Sequence, residues 1–149
     1  MGAASRLEPI RKLGIVGVGL IGGSLALGLR RTGLVGTIVG QGRTQANLDV
    51  ALERGIVDQA GQDASILRDC DVVLLAVPVA GLAAAAATAG SQVAPGALVM
   101  DAGSVKSGIV PACEAAIGSK ANFVGTHPIA GTEGTGAGAA DADLFRGAR

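Results

Sequence analysis

Aromatic side chains are almost missing from this 149-residue chain, which has two Phe and neither Tyr nor Trp. Bases of a single-stranded nucleic acid would find almost nothing to stack on, so that class of partner is not expected. An excess of charge of one sign is missing too, because 12 Lys and Arg balance 12 Asp and Glu. Without a net positive field there is no electrostatic reason to expect nucleic acid or an anionic membrane as partner. Cysteine is limited to Cys70 and Cys113, far apart and with no companion His or Cys at ligand spacing. Neither a structural zinc site nor a disulfide framework is expected, and both thiols read as small core hydrophobes. The one histidine, His127, cannot make a metal cluster by itself, so no metal is expected.

An unbroken apolar run of membrane length is also absent. Residues 13–29 carry no charge and are flanked by Arg11-Lys12 and Arg30-Arg31, much as a signal or membrane segment would be. Glycines interrupt the run, and it falls short of the ~20 apolar residues a span needs. The expectation is a cytoplasmic protein with no membrane contact.

What the chain holds in quantity is glycine, 25 residues of it. Three of these, Gly17, Gly19 and Gly22, stand in the G-x-G-x-x-G register immediately after the apolar stretch Leu13-Gly14-Ile15-Val16. In a dinucleotide fold the first glycine lets the chain turn tightly and the second lets backbone approach a pyrophosphate. The third lets the new helix lie against its strand. The helix that opens at Leu20 and Ile21 then offers free N–H groups and a partial positive charge to the phosphates. Glycine-rich turns are common, but this one has a strand before it and a helix after it.

The rest of the chain repeats that alternation. Strands are predicted over 12–16, 35–39, 72–77, 98–100 and 123–125. Helices are predicted over 20–32 with Gly33 as C-cap, from a Thr44 N-cap to Gly55, over the alanine-dense 79–89, and over 107–117. Pro78 is expected to stop the third strand and Pro95-Gly96 to make a turn, while residues 1–9 read as a loose leader. Alternating strands and helices imply parallel strands joined by right-handed crossovers. The predicted fold is α/β: a Rossmann-type, doubly wound, mostly parallel sheet with helices on both faces, making residues 1–149 one dinucleotide-binding domain.

Ligands of such a sheet collect beyond the carboxyl ends of its strands, so the residues there carry the chemistry. An acidic residue about 20 positions beyond the glycines normally grips the ribose hydroxyls of NAD. Gly42 holds that place here, followed by Arg43 and Thr44. A missing carboxylate removes repulsion toward a 2′-phosphate, and a guanidinium with a hydroxyl can bind one, which favours NADP over NAD. Otherwise Arg43 is a solvated loop arginine and Thr44 a helix cap. Val77 and Pro78 sit at the next strand end, followed by Ser104 and Lys106 ahead of a helix and by His127. Lys106 there implies either a bound anion or a solvent-facing side chain. A lone His is more often structural, yet one placed past a strand end can take a proton from a substrate hydroxyl during hydride transfer.

These residues resemble the prephenate and arogenate dehydrogenases of tyrosine biosynthesis. The likeness rests on Gly17-Val18-Gly19-Leu20-Ile21-Gly22-Gly23-Ser24, Ala76-Val77-Pro78, Asp101-Ala102-Gly103-Ser104-Val105-Lys106 and His127-Pro128-Ile129-Ala130-Gly131-Thr132-Glu133. It continues into the tail from Ala139 to Gly147. The resemblance implies oxidative decarboxylation of a cyclohexadienyl substrate, prephenate or arogenate. In that chemistry His127 accepts the ring-hydroxyl proton and Ser104 hydrogen-bonds the hydroxyl or His127. Thr132 and Glu133 line or gate the substrate pocket, and Gly42-Arg43-Thr44 looks like the family's NADP-accepting form.

The family also carries a helical domain that completes the pocket and forms a homodimer, and this domain has no counterpart in the chain. The isolated chain is therefore expected to bind cofactor with little or no turnover. Two other readings stand beside this one. A 3-hydroxyacid-type dehydrogenase would leave His127 unexplained, and a non-catalytic nucleotide-binding module would not need reactive side chains at the strand ends.

Overall fold

A continuous apolar strand is stable only when both of its faces are covered, and this chain places helices on each side of a single sheet. The computed structural model describes residues 8–148, so the leader expected over 1–9 lies outside the description except for its last two residues. The strands are β1 (Ile10–Val16), β2 (Val35–Gln41), β3 (Gln59–Gly61), β4 (Val72–Leu75), β5 (Leu98–Asp101) and β6 (Asn122–Gly125). They are all parallel, in the order β3-β2-β1-β4-β5-β6. The helices are α1 (Leu20–Thr32), α2 (Gln45–Glu53), α3 (Leu82–Gln92) and α4 (Ile109–Ile117). The chain winds outward from β1 to β3, crosses back to β4, and winds outward again to β6. Strand order therefore reverses between β1 and β4, and a cleft opens beyond their carboxyl ends.

Period-two alternation sends the strand side chains into two cores. On one face Leu13, Ile15 and Leu74 pack with Ala26, Leu48, Ala51 and Ile56. On the other, Val16, Val73 and Leu75 pack with Leu82, Ala86, Ala89 and Cys113. Each fully buried Leu or Ile stabilises the fold by about 2 kcal/mol. Alanine on α3 lets that helix lie close to the sheet. Both cysteines are buried and unpaired. Burial pushes the Cys70 thiol from 9.0 up to about 11 and also raises that of Cys113, so neither is a ready nucleophile.

Several predicted boundaries move. The strand expected over 72–77 ends at Leu75, and the Ala76 N–H still donates to the Val16 carbonyl at 2.8 Å before the chain turns away. The helix expected from residue 79 starts with one 3-10 turn over Val79–Gly81. The helix expected from residue 107 begins only at Ile109, because Gly108 at φ 76° interrupts the approach. Strand β3 and a 3-10 turn over Ala64–Leu67 were not predicted at all. Gln59, Ala60 and Gly61 show no apolar alternation and form an edge, which leaves little signal. On α1 the buried face is small, with Gly22, Gly23, Ser24 and Ala26, while Leu25 and Leu29 are only half-buried. On α2 Leu48 and Ala51 are buried, whereas Leu52 is 40% exposed. No described helix is long and apolar enough to cross a membrane.

Candidate active site

The three glycines after β1 do three different steric things. Gly17 has φ 88°, and a Cβ there would lie 2.4 Å from the Ala76 carbonyl oxygen, so only glycine turns the chain here. At Gly22 a Cβ would meet the Gly17 carbonyl oxygen at 2.4 Å and Ile15 Cγ2 at 2.7 Å, which is how α1 comes to rest on β1. Beside Gly19, among the described residues, no atom other than those of its chain neighbours comes within 4 Å of a Cβ position, and the open space is where another molecule can approach the backbone. Gly19 is the N-cap of α1, and the first turn holds no acidic residue. The N–H groups of Leu20, Ile21 and Gly22 thus lack intrahelical acceptors and face the opening with the positive end of the helix dipole. Asn47 holds the turn from outside: its Nδ2 donates to the Val18 carbonyl at 2.7 Å, while its Oδ1 accepts the Ala137 N–H at 2.8 Å.

A cavity of about 600 Å³ runs from this turn along the ends of β2 and β4, with Gly17, Gly42, Arg43, Val77 and Pro78 in its wall. Gln41 closes the end of β2 by donating from Nε2 to the Gln62 carbonyl at 2.8 Å. Gln62 in turn donates to the Arg43 carbonyl at 2.9 Å, which fixes the Arg43 backbone at the rim. The Arg43 side chain is exposed and makes no ion pair among the described residues. Thr44 occupies the N-cap of α2 with extended backbone, but its hydroxyl makes no capping bond. The cap expected of that side chain is therefore not made.

The other end of the cleft lies past β5 and β6. His127 is exposed and lines a second cavity, of about 350 Å³, together with Ile21, Leu25, Met100 and Thr126. Ile21 belongs to the first turn of α1, so the only imidazole and the start of that helix share one hollow. Ser104 is exposed on the loop after β5, and Thr132 and Glu133 are exposed on the loop after His127. These three line neither cavity. Arg43, Val77 and Pro78 line the first cavity and His127 the second, while Thr44, next to Arg43 in the chain, lines neither.

A family model described as the nucleotide-binding domain of prephenate dehydrogenase matches residues 25–149. The chain belongs to the prephenate dehydrogenase family. Prephenate dehydrogenase of Lactococcus lactis is 37% identical over 141 residues, which are 93% of this chain and 40% of that protein. The structure of A. aeolicus prephenate dehydrogenase with hydroxyphenyl propionate and NAD+ superimposes with a TM-score of 0.88 at 34% identity, over 97% of this chain and 50% of that one. Synechocystis arogenate dehydrogenase superimposes with a TM-score of 0.84 at 37% identity, over 92% of this chain and 48% of that one. The chain thus spans about half the length of the relatives it matches.

One feature of this domain escaped the sequence. Lys106 is neither solvated at large nor placed to meet an external anion, for its Nζ donates to Oδ2 of Asp101, a fully buried carboxylate. Asp101 stood in the quoted motif only as a strand-end residue. A buried acid with a lysine five positions later at the end of a parallel strand was the available signal, since such a carboxylate requires a partner.

Proposed function

We propose that this chain is the cofactor-binding half of an enzyme that oxidatively decarboxylates prephenate or arogenate, with NADP as hydride acceptor. The observation that carries this reading is the shared hollow of His127 and Ile21, which puts the sole imidazole beside the helix that faces the phosphates. The open side of Gly19 and the acid-free start of α1 fit a pyrophosphate. Leu20, Ile21 and Gly22 would bind it through N–H groups, Arg43 and Thr44 would take a 2′-phosphate, and Val77 and Pro78 would cover the nucleoside. When bound, the dinucleotide supplies a nicotinamide carbon that takes up hydride.

The chain's own residues do the rest. His127 accepts the proton of the ring hydroxyl as the C–H bond on the same carbon breaks. Loss of the ring carboxylate as CO2 then leaves an aromatic ring, which makes the step strongly downhill. Ser104 orients the hydroxyl or the imidazole, while Thr132 and Glu133 line the substrate side from the loop between His127 and Gly136. The names of the relatives support the substrate class, and the NAD+ and hydroxyphenyl propionate of the A. aeolicus complex support a dinucleotide beside a ring-bearing acid. We assign recognition of the substrate side chain and the homodimer contact to the part of the relatives that this chain does not match, and the cytoplasm as the place of work.

The test has two arms. In a family-length protein carrying these residues, His127→Asn should lower prephenate-dependent NADPH formation by about 1,000-fold, the scale of a positioned general base. An unchanged rate removes the dehydrogenase reading and leaves a nucleotide holder. In the 149-residue chain, Arg43→Ala should weaken NADP+ binding about tenfold and leave NAD+ binding as it was, measured by calorimetric titration. Equal affinities that ignore the substitution would reject NADP as the cofactor.

A further inference from the structure

Asp101 is the one carboxylate of the described chain with no solvent exposure, and each of its oxygens is committed. Oδ2 accepts the Gly103 N–H at 2.9 Å and a hydrogen from Lys106 Nζ. Oδ1 accepts the Thr126 N–H at 3.1 Å, and the Thr126 hydroxyl donates to the Asp101 carbonyl oxygen. Gly103 immediately precedes Ser104, and Thr126 immediately precedes His127. Each proposed reacting side chain therefore stands one residue beyond an amide that is held by the same carboxylate. Two glycines shape the surroundings: a Cβ on Gly103 would lie 2.9 Å from Asp101 Oδ2, and one on Gly125 would lie 3.3 Å from Lys106 Cδ.

A buried carboxylate is costly unless it is paired and hydrogen-bonded, and every bond Asp101 accepts comes from one of these two loops. What this one holds is the relative placement of two loops that come from strands β5 and β6 and share no other described hydrogen bond between residues 101–106 and 126–127. We propose that Asp101, charged and anchored by Lys106, is a positioning residue that sets Ser104 against His127. It touches neither substrate nor cofactor. This assignment rests on the roles given above to Ser104 and His127, and it adds the group that brings them into one geometry.

Because His127 is the only histidine, its imidazole carbon-proton signals in an NMR spectrum report on this loop without assignment ambiguity. The variants are Lys106→Gln, Lys106→Arg and the pair Asp101→Asn with Lys106→Met. The pair leaves no lone buried charge, so it keeps a folded chain available if Lys106→Gln does not fold. In the 149-residue chain, Lys106→Gln and the pair should shift or broaden the His127 signals while NADP+ affinity stays within about twofold. In a family-length protein they should lower kcat about 100-fold with KM little changed, the scale of an ångström-sized misplacement. Lys106→Arg should recover most of that loss.

A folded variant whose His127 signals and kcat match the wild type overturns the proposal. Equal loss of NADP+ affinity and of kcat also overturns it, because the pair would then be supporting the whole cleft. Failure of the dehydrogenase reading looks different: His127→Asn would leave turnover unchanged, while the His127 signals would still move in the Lys106 variants.

Discussion

At the end of β1 the site is made of backbone: three glycines, a turn with φ 88°, and helix N–H groups that face outward because nothing caps them. At the ends of β5 and β6 it is made of side chains, with a buried carboxylate gripping two loop amides and a lysine. The first region works by leaving atoms out, so its function is written in residues that have no side chain. The second works by a charge taken out of water, and it depends on partners that lie up to 25 positions apart. The difference teaches that an open backbone turn can be a local property of the chain, whereas the joining of two loops through one carboxylate is a long-range one.

The largest effect should come from breaking the first region. Gly17→Ala forces a Cβ to 2.4 Å from the Ala76 oxygen at a positive φ, and it should cost roughly 4 kcal/mol in thermal or urea unfolding, with cofactor binding lost. Next comes the second region. Lys106→Met strands the Asp101 charge in the interior and should cost about 3 kcal/mol of stability, read from the same unfolding curves. If Lys106→Met were as stable as wild type, the contrast drawn between the two regions would fail.

A smaller effect separates both regions from the ordinary core beneath them. The folded-state pKa of Cys70 lies above its unfolded value, so the folded chain keeps the thiol proton after the unfolded chain has lost it. Stability from this thiol is complete below pH 9.0 and is lost as pH rises toward about 11. Cys70→Ala should flatten that part of the pH–Tm profile, and a slope that stays the same would count against the burial argument. The smallest stability change belongs to Gly19→Ala. With negative φ and, beyond its chain neighbours, no described atom within 4 Å, it should alter stability by less than about 1 kcal/mol. Its NADP+ affinity should nevertheless fall at least about tenfold, because the methyl group occupies the space left for the pyrophosphate. Unaltered binding would show that nothing approaches the backbone there.

The glycine turn and helix α1 were legible to the residue, since Leu20–Thr32 with a left-handed Gly33 cap is what the sequence predicts. Strands β1, β4 and β5 announced themselves as short apolar runs. Edge strand β3 did not, for three residues without alternation carry no period to detect. The ends of α3 and α4 drifted because a 3-10 turn after Pro78 and a left-handed Gly108 are decided by how the chain enters the helix. At the site, Arg43, Ser104 and His127 could be placed at strand ends, but the partner of Lys106 could not be named.

By itself the sequence determined the alternation of elements, the steric form of the glycine turn, and the residue types available beyond each strand. These are local properties, set by side-chain size, backbone freedom and apolar period within a few residues. Only the tertiary structure decided that β4 lies beside β1 and β6 beside β5, so that Ile21 and His127 line one cavity and one carboxylate serves both Gly103 and Thr126. Strand neighbours in a parallel sheet are chosen by where the crossovers pack, and a buried charge finds its partners only once that packing has excluded water.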